Sequence, residues 1–545
     1  MTRLTGHGGQ LATAVARAHG IGTMFTLSGG HVFPMYDGAV NGDPPMRIVD
    51  VRHEQSAVFA AEATGKLTRT PGLAVLTAGP GITNGVSAVT TAHLNGSPLV
   101  VLGGRAAQAR WGAGALQELD HPPLLAPVTK HAGTVGSTAE IPAAIHDALS
   151  LAAAPHRGPV FLDFPIDVLF SHADAEVPAV SAPAPVEPDP DALERVAAAL
   201  AKATKPVLVL GSDVWADRAE AAARRAAETL GLPTITNGMG RGVLPAGHPL
   251  LVTRARSRAF GAADLVIVVG APLDFRLGYG EFAGGAAVCQ LADSPGGLAS
   301  HVKLAGSAYG DLSLALDGLV AAWQRRAGRA SYTDWGAELR ATADAAIAAD
   351  AGVLDSDADP IHPARVYREL GRQLSDDTVV IGDGGDFVSY AGKFVEPRNP
   401  GCWLDPGPYG CLGTGLGYAI AARIARPSAP VVLLLGDGAA GFSLMDADTL
   451  VRHDLPVVMI VGNNGIWALE KHPMRFLYGY DVAADLAPRT RYDEVVRALG
   501  GAGEMVTSPA ELGPAIKRAF DAGVPYLVNV ITDPAVAYPR STTGI

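Results

Sequence analysis

VVLLLGDG (residues 431–438) and PVVMIVGNN (residues 456–464) are the two stretches on which the reading of this chain turns. Each is a short apolar run closed by glycine and a polar residue. Such runs, when they lead into alanine-rich helical stretches, are the pattern of parallel strands covered by helices. Asp437 and Asn464, with 24 residues between Gly438 and Asn463, then fall at the carboxyl ends of parallel strands, where open α/β sheets bind ligands. Magnesium takes hard oxygen ligands and completes its shell with ligand phosphates, so one carboxylate, one amide oxygen and one backbone carbonyl suit it. Asp437, Asn464 and the carbonyl of Ile466 can supply these. Gly436 and Gly438 allow the backbone to approach phosphate oxygens without a side chain in the way.

The same pattern recurs at residues 75–78, 99–102, 207–210, 265–269 and 379–381, and its spacing predicts doubly wound α/β sheets. A chain of 545 residues, 48% hydrophobic, exceeds one core, and at about one domain per 150 residues three units are expected. The stretch SHADAEVPAVSAPAPVEPDPD (171–191) favours an extended connection over a packed element. The polar stretch DAGVLDSDADPIHP (350–363) marks the second boundary. The expected units are therefore residues 1–175, 190–345 and 360–545.

A formal net charge of −12 argues against a nucleic-acid binder while leaving room for a local basic pocket. Cys289, Cys402 and Cys411 are too few and too scattered for a disulfide framework or a zinc cluster, which points to a reducing, cytoplasmic setting. The start of the chain lacks a basic-then-apolar signal, and no apolar run reaches the roughly 18 residues that span a bilayer, so no membrane partner is expected.

The GDG and NN pair at this spacing resembles the signature of thiamine-diphosphate enzymes of the acetolactate synthase and pyruvate decarboxylase superfamily. Residues 51–104, VRHEQSAV to LVVLGG, resemble that family's pyrimidine-binding domain, with Glu54 at the position of the activating glutamate and Gly79 among its cofactor contacts. LDPGPYGCLGTGLGYAIAAR (404–423) resembles the other half of the cofactor site. There Leu412 matches the apolar residue that wedges between the two rings, and Gly410 matches a backbone contact to the aminopyrimidine. The resemblance implies three doubly wound parallel-sheet domains of the pyruvate decarboxylase type, bound thiamine diphosphate and Mg2+, and a homodimer or homotetramer whose cofactor sites draw on two subunits. Glu54 would hydrogen-bond the aminopyrimidine nitrogen and exchange a proton through it, a task that calls for shielding from water.

Two branches of the superfamily compete. Gln117-Glu118 and FTLSGGHVFPMYDG (25–38) resemble acetolactate synthases, but the segment after the double asparagine reads NNGIWALEKHPMRFLYGY, with Leu469, His472 and Pro473 where the synthases carry a run that shapes the 2-oxoacid pocket. Residues 404–423 and 491–516 resemble the 2-hydroxyacyl-CoA lyase and oxalyl-CoA decarboxylase group more closely. Leu116-Gln117, in place of that group's tyrosine and glutamate, argues against oxalyl-CoA. The expectation is thus a lyase that cleaves a 2-hydroxyacyl-CoA thioester to an aldehyde or ketone and formyl-CoA, with 2-oxoacid condensation as the alternative. A catalytically silent homologue is the remaining class, and the presence of Glu54, Asp437 and Asn464 counts against it.

His31, Gln117, Glu470 and Glu494 are the polar candidates for handling the substrate proton, with Glu494 the foremost. Residues 254–280 and 289–295 resemble the segments that hold an adenine nucleotide, either ADP or a non-redox FAD, with Arg256, Arg258 and Asp293 as candidate contacts. Arg398 and Arg540 are the corresponding candidates for coenzyme A.

Overall fold

The computed structural model describes residues 2–181, 184–326 and 331–538. All seven apolar runs are parallel strands, buried along nearly their whole length. The first begins earlier than its apolar run suggests, at Gly72, and ends at Leu76, so that Thr77 and Ala78 belong to the turn that follows.

Three parallel sheets result. The first has the spatial order Arg47–Asp50, Thr23–Thr26, Gly72–Leu76, Leu99–Arg105, Pro159–Pro165, His131–Thr134. The second runs Thr234–Thr236, Pro206–Leu210, Leu265–Val269, Ala287–Ala292, Gly306–Tyr309. The third runs Trp403–Leu404, Val379–Asp383, Val431–Gly436, Val458–Asn463, Tyr526–Ile531, Ala502–Val506. In each sheet the chain winds first to one side of its opening strand and then to the other, which leaves a crevice between two neighbouring carboxyl ends. The crevices lie beyond Thr26 and Leu76, beyond Leu210 and Val269, and beyond Asp383 and Gly436.

Alternation along the strands fills both faces of the first sheet. Phe25, Val101 and Phe161 enter one core, while Met24, Val100 and Val160 enter another. The first of these cores is shared with the third sheet, whose Ile381 and Leu433 belong to it. Two helices, Glu54–Thr68 and Thr414–Ala425, form the shared layer. They approach closely because Gly417 carries no side chain: a Cβ there would lie 2.7 Å from Phe59 Cβ and 2.9 Å from the Ser56 carbonyl oxygen. Beside that contact the Tyr418 hydroxyl donates to Glu62 at 2.8 Å, and Asn95 and Ser97 donate to the other carboxylate oxygen. Glu62 is thus fully buried and satisfied.

Residues 171–191 depart from the expected extended connection. His172–Val177 is a strand, paired antiparallel with Thr2–His7. Its alternation explains the pairing: Ala173, Ala175 and Val177 turn toward the core, whereas Asp174 and Glu176 face solvent. At the second boundary, Ala351–Leu354 forms one further helical turn after the helix Thr333–Ala349. No described helix is long and apolar enough to cross a membrane.

Candidate active site

At the first crevice the sheet assembles a group of polar side chains from distant parts of the sequence. Glu54 opens its helix directly after the Arg47–Asp50 strand and its short turn, is 7% exposed, and accepts a hydrogen bond from Asn84 Nδ2 at 3.0 Å. Gly81 lies against its other oxygen. The turn that carries Gly81 follows Gly79, whose φ of +60° combined with a ψ of −113° requires glycine. Gln117, itself at φ +60°, packs directly on Gly79. His31 Nδ1 lies 3.2 Å from Thr77 Oγ1, and its ring also bonds the backbone of Leu116; burial holds this imidazole below its ordinary pKa. His31, Gln117, Gly79 and Glu54 are therefore neighbours around one crevice.

The third crevice brings Asp437, Asn464 and Ile466 together. Asp437 is 4% exposed, and its two carboxylate oxygens accept the backbone N–H groups of Gly438, at 2.9 Å, and Gly465, at 2.7 Å. Burial pushes its carboxyl up to about 6, against those bonds. Asn464 Oδ1 accepts the N–H of Ile466 at 3.1 Å, which folds the turn over the aspartate. Gly436 and Gly410 border open space, and Gly438 is required by Trp467, whose ring would lie 2.4 Å from a Cβ. Asp383, at the end of the neighbouring strand, is fully buried and accepts the N–H groups of Gly413 and Gly415; burial pushes it up to about 7 against those two bonds. It fixes the loop that carries Gly410 and Leu412. The two crevices are linked within the chain, because Gln55 Nε2 donates to the Leu412 carbonyl at 3.4 Å and Gly413 abuts Phe442 of the helix that begins at Asp437.

At the second crevice a cavity of about 270 Å³ is lined by Gly211, Asp213, Gly238, Gly270 and Arg276 from the middle unit, with Lys66 and Trp403 from the flanking units. Asp293, expected as a contact to the phosphates or ribose of an adenine nucleotide, sits at its edge with both flanks occupied: His156 Nδ1 at 3.0 Å and Arg157 at 3.6 Å. Arg256 does not line the cavity. It donates to the Arg276 carbonyl and lies over the Phe260 ring, and burial beside Arg276 lowers its pKa to about 10. Arg258 points outward to Glu338, and Arg398 is exposed beside Asp376. Arg540 lies outside the described residues.

Glu494 departs furthest from expectation. The helix Tyr492–Ala498 turns Asp493 and Val496 inward and Glu494 outward, where it pairs with Arg491 at 3.0 Å. Glu470 is likewise exposed. Neither is brought to the Glu54 group within the chain. Three residues that sequence reasoning passed over do stand at the crevices: Asn84, Asp383 and His121. Asp383 closes a strand that was read from the sequence, so the rule about carboxyl ends could have found it. His121 has no local signal, because its partners lie 42 residues away on either side.

The fit of this site to thiamine diphosphate and a divalent ion is good on its own chemistry. A buried carboxylate with no ion pair within 4 Å among the described residues, an amide oxygen and glycines bordering open space stand at one crevice. A shielded carboxyl stands at the other. Residues 383–530 match the description "Thiamine pyrophosphate enzyme, C-terminal TPP binding domain", residues 6–124 match the N-terminal TPP binding domain and residues 193–319 the central domain. The chain is 51% identical over 540 residues to the acetolactate synthase large subunit IlvG of Mycobacterium tuberculosis, covering 98% of this chain and 97% of that one. It is 35% identical to 2-hydroxyacyl-CoA lyase 2 of Caenorhabditis elegans, covering 92% and 84%, and 34% identical to the human protein of that name, covering 96% and 90%.

Proposed function

This chain belongs to the thiamine pyrophosphate enzyme family, and we propose that it performs an acetolactate synthase-type reaction, decarboxylating one 2-oxoacid and condensing the remainder with another. The observation that carries this reading is the 51% identity to an acetolactate synthase over nearly the whole of both chains, against about 35% for the lyases. It reverses the order of preference reached from motifs alone.

Thiamine diphosphate, when bound, supplies the electron sink for a carbanion beside a carbonyl. Asp437, Asn464 and the carbonyl of Ile466 would hold Mg2+ against the diphosphate. Gly436 and Gly438 leave room for its oxygens. Leu412 and Gly410 would meet the rings. Glu54 moves a proton at Oε1, the oxygen that Asn84 leaves free, and burial keeps bulk water from short-circuiting that exchange. Gln117 and His31 stand beside it as donors toward a substrate carbonyl or carboxylate. The middle cavity, at a doubly wound crevice lined by glycines, suits an adenine nucleotide. Phe442 at 57% exposure, Leu116 at 77% and Phe33 at 53% border the two cofactor crevices and favour a homodimer, or a homotetramer built of two dimers, in which a second subunit covers them.

One observation favours the second reading, a 2-hydroxyacyl-CoA lyase. Leu469 is seated against Gly385, and the helix Ala468–Tyr478 carries His472 and Pro473 in place of the synthase run. Offering the purified enzyme pyruvate and a 2-hydroxyacyl-CoA in parallel decides between them. Acetolactate formation is expected; cleavage of the thioester to formyl-CoA with no acetolactate overturns the synthase reading.

A further inference from the structure

We propose that His121 and Asp163 form a buried positioning pair that sets the Gly79–Asn84 segment against Glu54. The proposal rests on the reading of Glu54 as the proton-exchanging group.

Both side chains are fully buried. His121 Nε2 lies 3.0 Å from the backbone nitrogen of Gly79, and Nδ1 lies 2.8 Å from Asp163 Oδ2. A peptide N–H can only donate, so Nε2 must offer its lone pair and the ring proton must sit on Nδ1, facing the carboxylate. The same Asp163 oxygen accepts Arg105 Nη1 at 3.0 Å; Arg105 in turn bonds Asp120 and stacks over Trp111 at 3.7 Å. The imidazole is therefore held from behind by strand residues of the first sheet and presents one defined acceptor forward.

That acceptor grips the chain where it needs gripping. Gly79 has φ +60° and ψ −113°, a conformation closed to other residues, and its surroundings must hold it there. The turn it starts, Pro80–Thr83, delivers Gly81 to one side of the Glu54 carboxyl and Asn84 to the other. His121 also closes the loop that carries Gln117, which packs on the far side of Gly79. One ring thus joins the two segments that flank the catalytic carboxyl without touching it. Removing the ring leaves a buried N–H with no partner and frees both segments to drift. Displacements of about 1 Å at a reacting group cost about 100-fold in rate.

The test compares His121→Leu, His121→Asn and His121→Gln as holoenzymes saturated with thiamine diphosphate and Mg2+. Glutamine can accept the Gly79 N–H through its oxygen while its amide donates to Asp163; asparagine can satisfy Asp163 but is too short to reach Gly79. Two readouts are taken: deuterium exchange at the thiazolium carbon by quenched NMR, and amide exchange of the peptide spanning residues 77–84 by mass spectrometry. His121→Leu and His121→Asn are expected to slow thiazolium exchange by about 10–100-fold and to speed amide exchange in that peptide, with His121→Gln within about threefold of wild type on both. If His121→Leu does not fold, the asparagine and glutamine pair decides the matter. Wild-type values in His121→Asn, or an equal loss in His121→Asn and His121→Gln, overturn the proposal. Glu54→Gln is run alongside. Unchanged thiazolium exchange in that variant overturns the reading of Glu54, and the amide exchange of residues 77–84 then still decides whether His121 holds Gly79.

Discussion

Asp437 and Asp293 each follow the last residue of a parallel strand, one in the third sheet and one in the second, and they are 4% and 3% exposed. Their partners differ completely. Asp437 accepts backbone N–H groups from Gly438 and Gly465, and burial pushes its carboxyl up to about 6. Asp293 lies between His156 and Arg157; burial would raise it, but the bond from His156 and the two nearby cations hold it below the usual carboxylate range. The same position on the same kind of sheet has been used once to keep a charge available and once to neutralise it. A buried carboxylate supported only by peptide dipoles is poised for a cation, whereas one already flanked by cations is a clasp. His156 and Arg157 come from the first unit, so the clasp joins that unit to the middle one.

The largest effect that follows is at Asp437. Asp437→Ala should release metal and thiamine diphosphate together, a loss exceeding the roughly 10–100-fold that outer partners of a metal are worth. Metal analysis and cofactor fluorescence on the purified variant measure it, and normal content of both would erase the contrast with Asp293. At Asp293 the effect falls on stability. Burial alone would lower the His156 pKa, but its bond to Asp293 and the nearby Asp213 raise it to about 9. A raised histidine contributes stability that is fully present below its ordinary value near 6.5 and is lost as pH rises through about 9. Burial raises Asp213 to about 7, and its contribution is lost in the same direction, between the ordinary carboxylate range and about 7. Asp293→Asn should therefore cost about 3 kcal/mol near neutral pH, the low end for a broken buried pair because His156 is partly solvated. The melting temperature of the variant should also fall less steeply than that of wild type between pH 7 and about 9. Parallel melting curves would contradict the clasp. The smallest effect belongs to Glu494. As an exposed partner of Arg491, Glu494→Gln should change stability by less than about 0.5 kcal/mol. Turnover on pyruvate should stay near wild type, and a steep loss would return Glu494 to the reaction.

The strands were legible because a parallel strand buried on both faces must be a continuous apolar run, and the glycines that close such runs mark the crevices. Asp437 and Asn464 were legible for the same reason, each standing directly at a strand end, whereas Glu54 was singled out only by the resemblance of residues 51–104 to the pyrimidine-binding domain. What escaped was either non-local or decided by rotation. His121 acts through Gly79 and Asp163, and nothing near it in the sequence reports either contact. Glu494 and Asp493 differ by one step around a helix, and the inward face was decided by the bond from Asn529 to Asp493, a partner that lies 36 residues away. The strand His172–Val177 was hidden by its proline-rich sequel, although its own alternation was regular. Arg256 and Arg258 show that a basic helix beside a nucleotide-type crevice can spend its charges on carbonyls and surface carboxylates instead.

The missing side chain at Gly417 has a mechanical consequence. With the helices Glu54–Thr68 and Thr414–Ala425 in backbone contact, and with Glu62 locking Tyr418 beside it, the first and third sheets cannot slide past one another without breaking both. They move as a single block. Any opening that admits substrate must therefore come from the loops around the crevices. A chimera that exchanges one of the two sheets between relatives would have to carry both helices with it.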